Sequence, residues 1–244
     1  MERCDLVNDS LRLIQDTDGL TFGTDALLLA GYISGSRSLG CELGAGSGII
    51  SMLLLSRDKL KRAVALEVQE EYARLIEKNR ELNELGERLV SQHTDVRFYK
   101  SDVEFDIVYT NPPYMKTSSG KSNSEDKKNI ARHEVMGDIR DFCLAGKRLL
   151  KFGGSFVAVY RPDRLADLMA ALRETTLEVK RMTFVHADAF SESSMVLVEA
   201  KKGAKSGMQL TRPLLIYKDK SHTEYSDDMN FIMENGSFPQ CYKR

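Results

Sequence analysis

Seven strand-length apolar runs, most of them separated by helix-period segments, restrict this chain to one class of fold. The runs are Ser38–Leu43, Arg62–Glu67, Arg88–Gln92, Glu104–Thr110, Ser155–Tyr160, Lys180–Val185 and Ser194–Ala200. Between them, Ile49–Leu55, Glu70–Leu85, Ile139–Leu150 and Asp163–Glu174 carry apolar residues at helical spacing, with Gly86 stopping the second. Strands alternating with helices require right-handed crossovers, hence an α/β fold with a mostly parallel sheet and helices on both faces. A short loop joins the last two runs, which predicts an antiparallel hairpin at one edge. Gly153-Gly154 reads as the turn into the fifth strand. Pro213–Tyr217 reads as one more strand in a stretch that otherwise has few periodic features.

The composition agrees. Of 244 residues, 42% are hydrophobic and 29% charged, an ordinary balance for a chain that builds its own core without disulfide or metal staples. Cys4, Cys41, Cys143 and Cys241 are scattered and form no CxxC pair. They read as reduced thiols of a cytoplasmic protein, and no metal is expected. Met1-Glu2-Arg3-Cys4-Asp5 leads into no signal-like run, and no segment approaches the roughly 20 apolar residues that span a bilayer, so no membrane contact is expected. The net charge of −1 argues against a globally basic surface. Two segments are locally basic. One holds Lys116, Lys121, Lys127, Lys128 and Arg132; the other runs from Lys201-Lys202 through Lys205 and Arg212 to Lys220. They are either a phosphate-attracting surface or solvated loops.

The first chemical motif is Glu42-Leu43-Gly44-Ala45-Gly46-Ser47-Gly48, at a strand end and opening a helix. Glycines there permit a tight turn and close approach of a ligand to the backbone. A dinucleotide fingerprint fails because its third glycine position is Ile49, and a phosphate loop fails because no Lys follows. An acidic residue before three alternating glycines suits a ligand with a positive centre, and Glu42 would place a carboxylate beside it. Glu67, ending the second strand, is placed to accept both hydroxyls of a ribose; a solvated strand-end residue is the competing reading. Asp95, past the third strand, is a candidate for an adenine amino group or a simple turn residue.

The second motif is Asn111-Pro112-Pro113-Tyr114, directly after the fourth strand. Open parallel sheets bind ligands at the carboxyl ends of their strands, which sets this motif beside the glycine loop. Two prolines stiffen the chain so that carbonyls project in a fixed direction, and Asn111 adds an amide oxygen. Two acceptors aimed at one planar amino group would hold it, and the Tyr114 ring would stack on the group's plane.

Together the two motifs resemble class I S-adenosylmethionine-dependent methyltransferases, and Asn111–Tyr114 resembles the Asp/Asn/Ser-Pro-Pro-Tyr/Phe motif of those that methylate planar nitrogens. Further stretches are similar to bacterial tRNA adenine-N6 methyltransferases of the valine-tRNA adenine-37 type: Phe22–Ala30, Ala131-Arg132-His133-Glu134, Val198–Gly203 and Pro213–Tyr217. The resemblance implies a Rossmann-like, seven-stranded sheet with a reversed last hairpin and S-adenosylmethionine as cofactor. It implies tRNA as partner, with no obligate protein partner. It further implies that Phe22, Thr24 and Asp25 lie near the methionine end of the cofactor, in an N-terminal extension (1–34) over that site; for Thr24-Asp25 a helix N-cap is the alternative. The expected organisation is one methyltransferase domain, 1–244, with a C-terminal tail from 207. Expected site residues are then Asn111, Pro112, Pro113 and Tyr114 for catalysis. Phe22, Thr24, Asp25, Glu42, Gly44, Gly46, Gly48, Glu67, Asp95 and Asn111 are expected to hold the cofactor. Lys116, Lys121, Lys127, Lys128, Arg132, Lys201 and Lys202 are expected to hold RNA. His133 reads as a base contact, a phosphate contact or a structural residue.

Two rivals remain at this point. Protein-glutamine N5-methyltransferases of the release-factor type share the second motif, but usually carry a helical substrate domain before the glycine motif, where this sequence has 43 residues. A non-catalytic cofactor- and RNA-binding protein is the other.

Overall fold

The computed structural model describes residues 2–8, 10–16, 23–113 and 137–243. Two strands, β1 (Glu2–Asn8) and β2 (Leu11–Asp16), form an antiparallel hairpin of their own. The main sheet contains β3 (Arg37–Leu43), β4 (Leu60–Glu67), β5 (Leu89–His93), β6 (Phe105–Thr110), β7 (Leu150–Tyr160), β8 (Leu177–His186) and β9 (Ser193–Lys202). The short pieces β10 (Gln209–Leu210) and β11 (Leu214–Leu215) complete it. The order is β10-β8-β9-β7-β6-β3-β4-β5, with β11 also on β8. All pairings are parallel except the two made by β9. The expected last hairpin is therefore present, but its second strand is inserted between β7 and β8 rather than added at the edge.

Both faces are buried, which is why the strands read as continuous apolar runs. On β6, Ile107 and Tyr109 point into one core and Phe105 and Val108 into the other. The first face is covered by α1 (Thr24–Tyr32) and α2 (Ile49–Ser56), with α3 (Glu70–Leu82) and the hairpin beside them; the second by α4 (Ile139–Leu149) and α5 (Leu165–Glu174). Seven consecutive residues of α2, Ile49–Leu55, are buried, so the helix is apolar all round and lies inside the layer. α4 opens with a reciprocal cap: Asp141 N–H donates to Asp138 and Asp138 N–H to Asp141, with Lys147 and Arg148 at its other end.

Three boundaries differ from expectation. α3 ends at Leu82, because Glu84 already takes a positive φ before Gly86 is reached. β7 starts at Leu150, and Gly153-Gly154 lie inside it as a bulge between the Leu150–Phe105 and Ser155–Ile107 pairs. The stretch after Gly207 is packed: α6 (Asp227–Asn235) is capped by Ser226 and Gly236, and Met229, Ile232, Phe238 and Tyr242 lie in the first-face core.

The hairpin at the start attaches through amides. Asn79 on α3 accepts from Ile14 N–H at 2.7 Å and donates to Ile14 C=O at 2.9 Å; Asn83, one turn later, does the same for Arg12. Two side chains at helical spacing thus imitate a neighbouring strand for β2, and Leu11 and Leu13 are buried beneath it.

Candidate active site at the carboxyl edge of the sheet

The strand register gathers the two motifs. Leu43 is level with Leu66 on one side and with Thr110 on the other, and Thr110 is level with Ala158. Gly44, Glu67 and Asn111 therefore leave the sheet on the same row. Buried Thr110 reinforces this: its Oγ1 donates to the Leu43 carbonyl at 2.8 Å, tying the end of β6 to the start of the glycine loop.

The loop is fixed from several sides. Gly44, Gly46 and Gly48 have φ of +67, +54 and +80, a region that side-chain-bearing residues avoid. Gly48 has a second constraint, since a Cβ there would lie 3.2 Å from Ile76. Ala45 N–H donates to Leu66 C=O at 2.9 Å, Asn79 donates to Ser47 C=O at 3.1 Å, and Gly46 N–H donates to Glu67 Oε2 at 2.8 Å. The other Glu67 oxygen accepts from Gln69 N–H at 2.9 Å. Glu67 is 2% exposed, not a solvated strand-end residue, and these two bonds hold it in place at the loop. Asp95 lies two residues past His93, which pairs with Glu67. Its carboxylate is gripped by Arg97 through Nε at 2.9 and 3.0 Å and through Nη2. Burial works to raise the Asp95 pKa, but the Arg97 hydrogen bonds outweigh it and hold it below its ordinary value.

Glu42 is a correction. The expected carboxylate beside a bound cation is instead 1% exposed, on the face it shares with its register partner Tyr109. It accepts from Ser51 N–H at 3.0 Å and from Ser51 Oγ, which also bonds the Tyr109 hydroxyl at 2.7 Å. Ser51 is in the first turn of α2, so Glu42 satisfies an otherwise unpaired helix amide and braces the loop from beneath. Burial pushes the Glu42 carboxyl from 4.5 to about 8, with the Ser51 bonds opposing the shift. The folded chain therefore retains a proton that the unfolded chain releases above 4.5. The stabilisation from this group is complete below about 4.5 and is lost as pH rises through about 8. Glu42→Gln keeps an acceptor for Ser51 and is expected to flatten this dependence, by at most about 1.4 kcal/mol per pH unit for one proton. Urea unfolding of both proteins between pH 5 and 8.5 measures the difference directly, and parallel curves would remove Glu42 as its source.

At the second motif, Pro112 is buried and Pro113 partly so. Asn111 donates from Nδ2 to Asp25 Oδ2 at 2.7 Å. Asp25 is in the first turn of α1; the N-cap position is Gly23, so Thr24-Asp25 do not cap the helix. A cleft of about 820 Å³ opens beside Thr24 and Asp25, bounded by Tyr160, Arg161 and Ser193–Met195. A smaller one of about 260 Å³ lies beside Pro112 and Pro113, against Phe142, and shares Tyr160 and Arg161 with the first.

Other expected residues fall elsewhere. Phe22, Tyr114, Lys116, Lys121, Lys127, Lys128, Arg132 and His133 lie outside the described residues. Lys201 is level with Ser155 and Ile107, and Lys202 with Leu177, where β8 begins. Both sit towards the amino ends of the parallel strands, away from the motif row, and Lys202 Nζ donates to Leu150 C=O. Thr110, Ser51, Tyr109 and the Asp25–Asn111 bond were not anticipated. Among the described residues no cluster of His, Cys, Asp or Glu is gathered for a metal, and no helix is long and apolar enough to cross a membrane.

This architecture has known counterparts. A family model described as "Conserved hypothetical protein 95" matches residues 27–138. A tRNA1(Val) (adenine(37)-N6)-methyltransferase of Phocaeicola vulgatus is 27% identical over 188 residues, 76% of this chain and 79% of that protein. One of the same name from Dyadobacter fermentans is 30% identical over 152 residues, 61% of this chain and 62% of that protein. Among solved structures, a predicted O-methyltransferase from Agrobacterium tumefaciens superposes with a TM-score of 0.70 at 21% identity, over 88% of this chain and 98% of that one. The M. jannaschii tRNA m1G37 methyltransferase gives 0.53 at 17%, over 84% and 57%. The fold is the Rossmann-like methyltransferase fold.

Proposed function

We propose that this chain is an S-adenosylmethionine-dependent methyltransferase acting on the exocyclic N6 of an adenine in tRNA, with adenine 37 of valine tRNA the first substrate to test. The observation that carries the reading is the common row: the glycine loop, Glu67 and Asn111-Pro112-Pro113 leave one sheet edge together, and Pro112 and Pro113 line an open cleft there. The names of the similar tRNA methyltransferases support the choice of substrate.

The residues present fit the cofactor. Among the described residues, a Cβ built on Gly46 meets no atom within 4 Å, so nothing in that part of the structure fills the space in front of the loop backbone. Glu67 is the candidate for the ribose hydroxyls and Asp95, whose carboxylate is occupied by Arg97, the candidate near the adenine edge, with Thr24 and Asp25 towards the other end. When bound, S-adenosylmethionine supplies an activated methyl group. What the chain must add is alignment and charge stabilisation. The N6 lone pair of adenine is delocalised into its ring. The Asn111 oxygen and the Pro112 carbonyl accept hydrogen bonds from the two N6 hydrogens, favour a more tetrahedral nitrogen, and stabilise the positive charge that grows there until one N6 proton is released to water. Tyr114 stacks on the base. The base reaches the site by leaving its stack, which is easier from an anticodon loop than from a duplex. Lys116, Lys121, Lys127, Lys128 and Arg132 are candidates to hold adjoining phosphates.

The chain is read as one methyltransferase domain: both core clusters lie on one shared sheet, and the first includes residues from Leu11 to Tyr242. Four free cysteines, two of them buried, suit the cytoplasm, where tRNA is found.

The test is methyl transfer from labelled S-adenosylmethionine to bulk tRNA from a strain lacking the corresponding enzyme, followed by nucleoside mass spectrometry. N6-methyladenosine is the expected product, with tRNA affinity falling as salt rises. Label on a release-factor protein instead would transfer the assignment to glutamine N5-methylation. Cofactor binding with no label on either substrate would leave a binding protein.

A further inference from the structure

We infer that Asp25 is the positioning residue for Asn111. Its carboxylate decides which end of the Asn111 amide faces the substrate, and it makes the facing oxygen a stronger acceptor. This rests on the function proposed above and adds a residue to its chemistry.

An asparagine amide has a donor end and an acceptor end of nearly the same shape, so its orientation is set by its partners. Methylation of an amino group requires the oxygen to point at the substrate; the reversed amide would present N–H to N–H. A carboxylate only accepts. At 2.7 Å, Asp25 Oδ2 therefore selects the Nδ2 end and turns the Asn111 oxygen to the opposite side of the amide. The bond is charge-assisted, and withdrawing a proton's density towards Asp25 leaves the amide oxygen more negative. Both consequences act on the group that holds N6.

Asp25 is itself held. Its other oxygen, Oδ1, accepts from Ala26 N–H at 2.9 Å, in the first turn of α1, where the helix dipole favours an anion. Residue 23 keeps the space for it. Gly23 has an extended backbone that any residue adopts, yet a Cβ there would lie 2.6 Å from Asp25 Oδ1. A glycine that its own conformation does not require is thus accounted for by the carboxylate beside it. Asp25 also lines the larger cleft, so its carboxylate stands at a cleft wall rather than in the core.

Four variants test this by their kinetics, and a spectrum, assigned with a fifth, tests it without substrate. Asp25→Ala is expected to lower kcat by roughly 10–100-fold at saturating cofactor, the size of effect seen when the hydrogen-bond partner that orients a metal ligand is removed. Gly23→Ala is expected to lower it in the same direction by displacing the carboxylate. Asn111→Asp sets two carboxylates against each other and is expected to be nearly inactive. Adding Asp25→Asn reverses the pair: the new amide donates to the new carboxylate, and its remaining oxygen faces the substrate. At least tenfold recovery over Asn111→Asp alone is expected, an outcome a merely structural role for Asp25 does not produce. No recovery, in a double variant that is folded and binds S-adenosylmethionine with wild-type affinity, overturns the inference, as does a kcat for Asp25→Ala within twofold of wild type. The spectrum separates this from the function itself. The Asn111 side-chain amide resonance, assigned by its loss in Asn111→Ser, is expected to lie downfield in wild type and to move on Asp25→Ala without any substrate. If tRNA is not methylated but that shift is seen, the proposed reaction fails and the pairing stands; if tRNA is methylated and the resonance is unmoved, the pairing fails alone.

Discussion

Replacing Asn111 by alanine is expected to lower kcat by roughly 10²–10³-fold, the effect of deleting one preorganised polar group that meets developing charge. The affinity for S-adenosylmethionine is expected to change by less than about threefold. The asymmetry follows from the site. The loop backbone is secured by Leu66, Glu67 and Asn79, none of which depends on Asn111. The end of β6 is secured by Thr110, whose hydroxyl bond to Leu43 survives the substitution. What disappears is one acceptor for N6, together with the donor to Asp25. Calorimetry of cofactor binding beside single-turnover kinetics on tRNA separates the two quantities. An equal loss in both would make Asn111 a structural residue.

The second large effect is on stability. Arg181→Met is expected to cost about 3–5 kcal/mol, as removal of one partner from a buried ion pair does. Arg181 is 1% exposed on β8. It faces Glu199 at 2.9 Å, donates to the carbonyls of Tyr32 and Tyr242 at 2.7 and 2.8 Å, and lies 3.7 Å above the Tyr32 ring. One guanidinium therefore joins the end of α1, the hairpin of β8 and β9, and the last residues of the described chain. The single variant leaves Glu199 without its cation and two carbonyls without a donor. Arg181→Met combined with Glu199→Met removes the stranded charge and is expected to recover much of the loss. Urea midpoints for wild type, Arg181→Met, Glu199→Met and the double variant give the coupling. A single variant within 1 kcal/mol of wild type would mean that water replaces the guanidinium.

Both motifs were legible in the sequence because each is contiguous and sits where an apolar run stops. Seven residues from Glu42 and four from Asn111 carry their meaning locally, and alternation of strands and helices brings them to one edge. What escaped depends on facing. Strand parity sends Glu42 beneath the loop with Tyr109, and a sequence pattern does not say which buried face a strand-end carboxylate takes. Lys201 and Lys202 belong to a basic run, but β9 runs against its neighbours, so its last residues lie at the wrong end of the sheet. The Asp25–Asn111 bond joins residues 86 apart, with no local trace. The N-terminal hairpin escaped because β2 finds its partners in two amides on a helix rather than only in strands. The C-terminal helix had readable punctuation in Ser226 and Gly236, and only the expectation of a featureless tail hid it.

The divided strand at the outer edge of the sheet bears on how this chain behaves among its own copies. β8 presents ten residues, from Leu177 to His186, that include Val179, Met182 and Val185. Left open, such an edge would template pairing with another chain. The segment that returns along it is broken into β10 and β11, two residues each, with Arg212 and Pro213 between them. Pro213 has no N–H to offer a further strand, and the Arg212 side chain is fastened to Asp228. At the opposite edge β5 is five residues long. The sheet is thus closed on this flank by an interrupted cover that pairs with β8 in two short pieces and is broken by Pro213 between them. The residues after Gly207 therefore cover a strand edge along which another chain would otherwise pair.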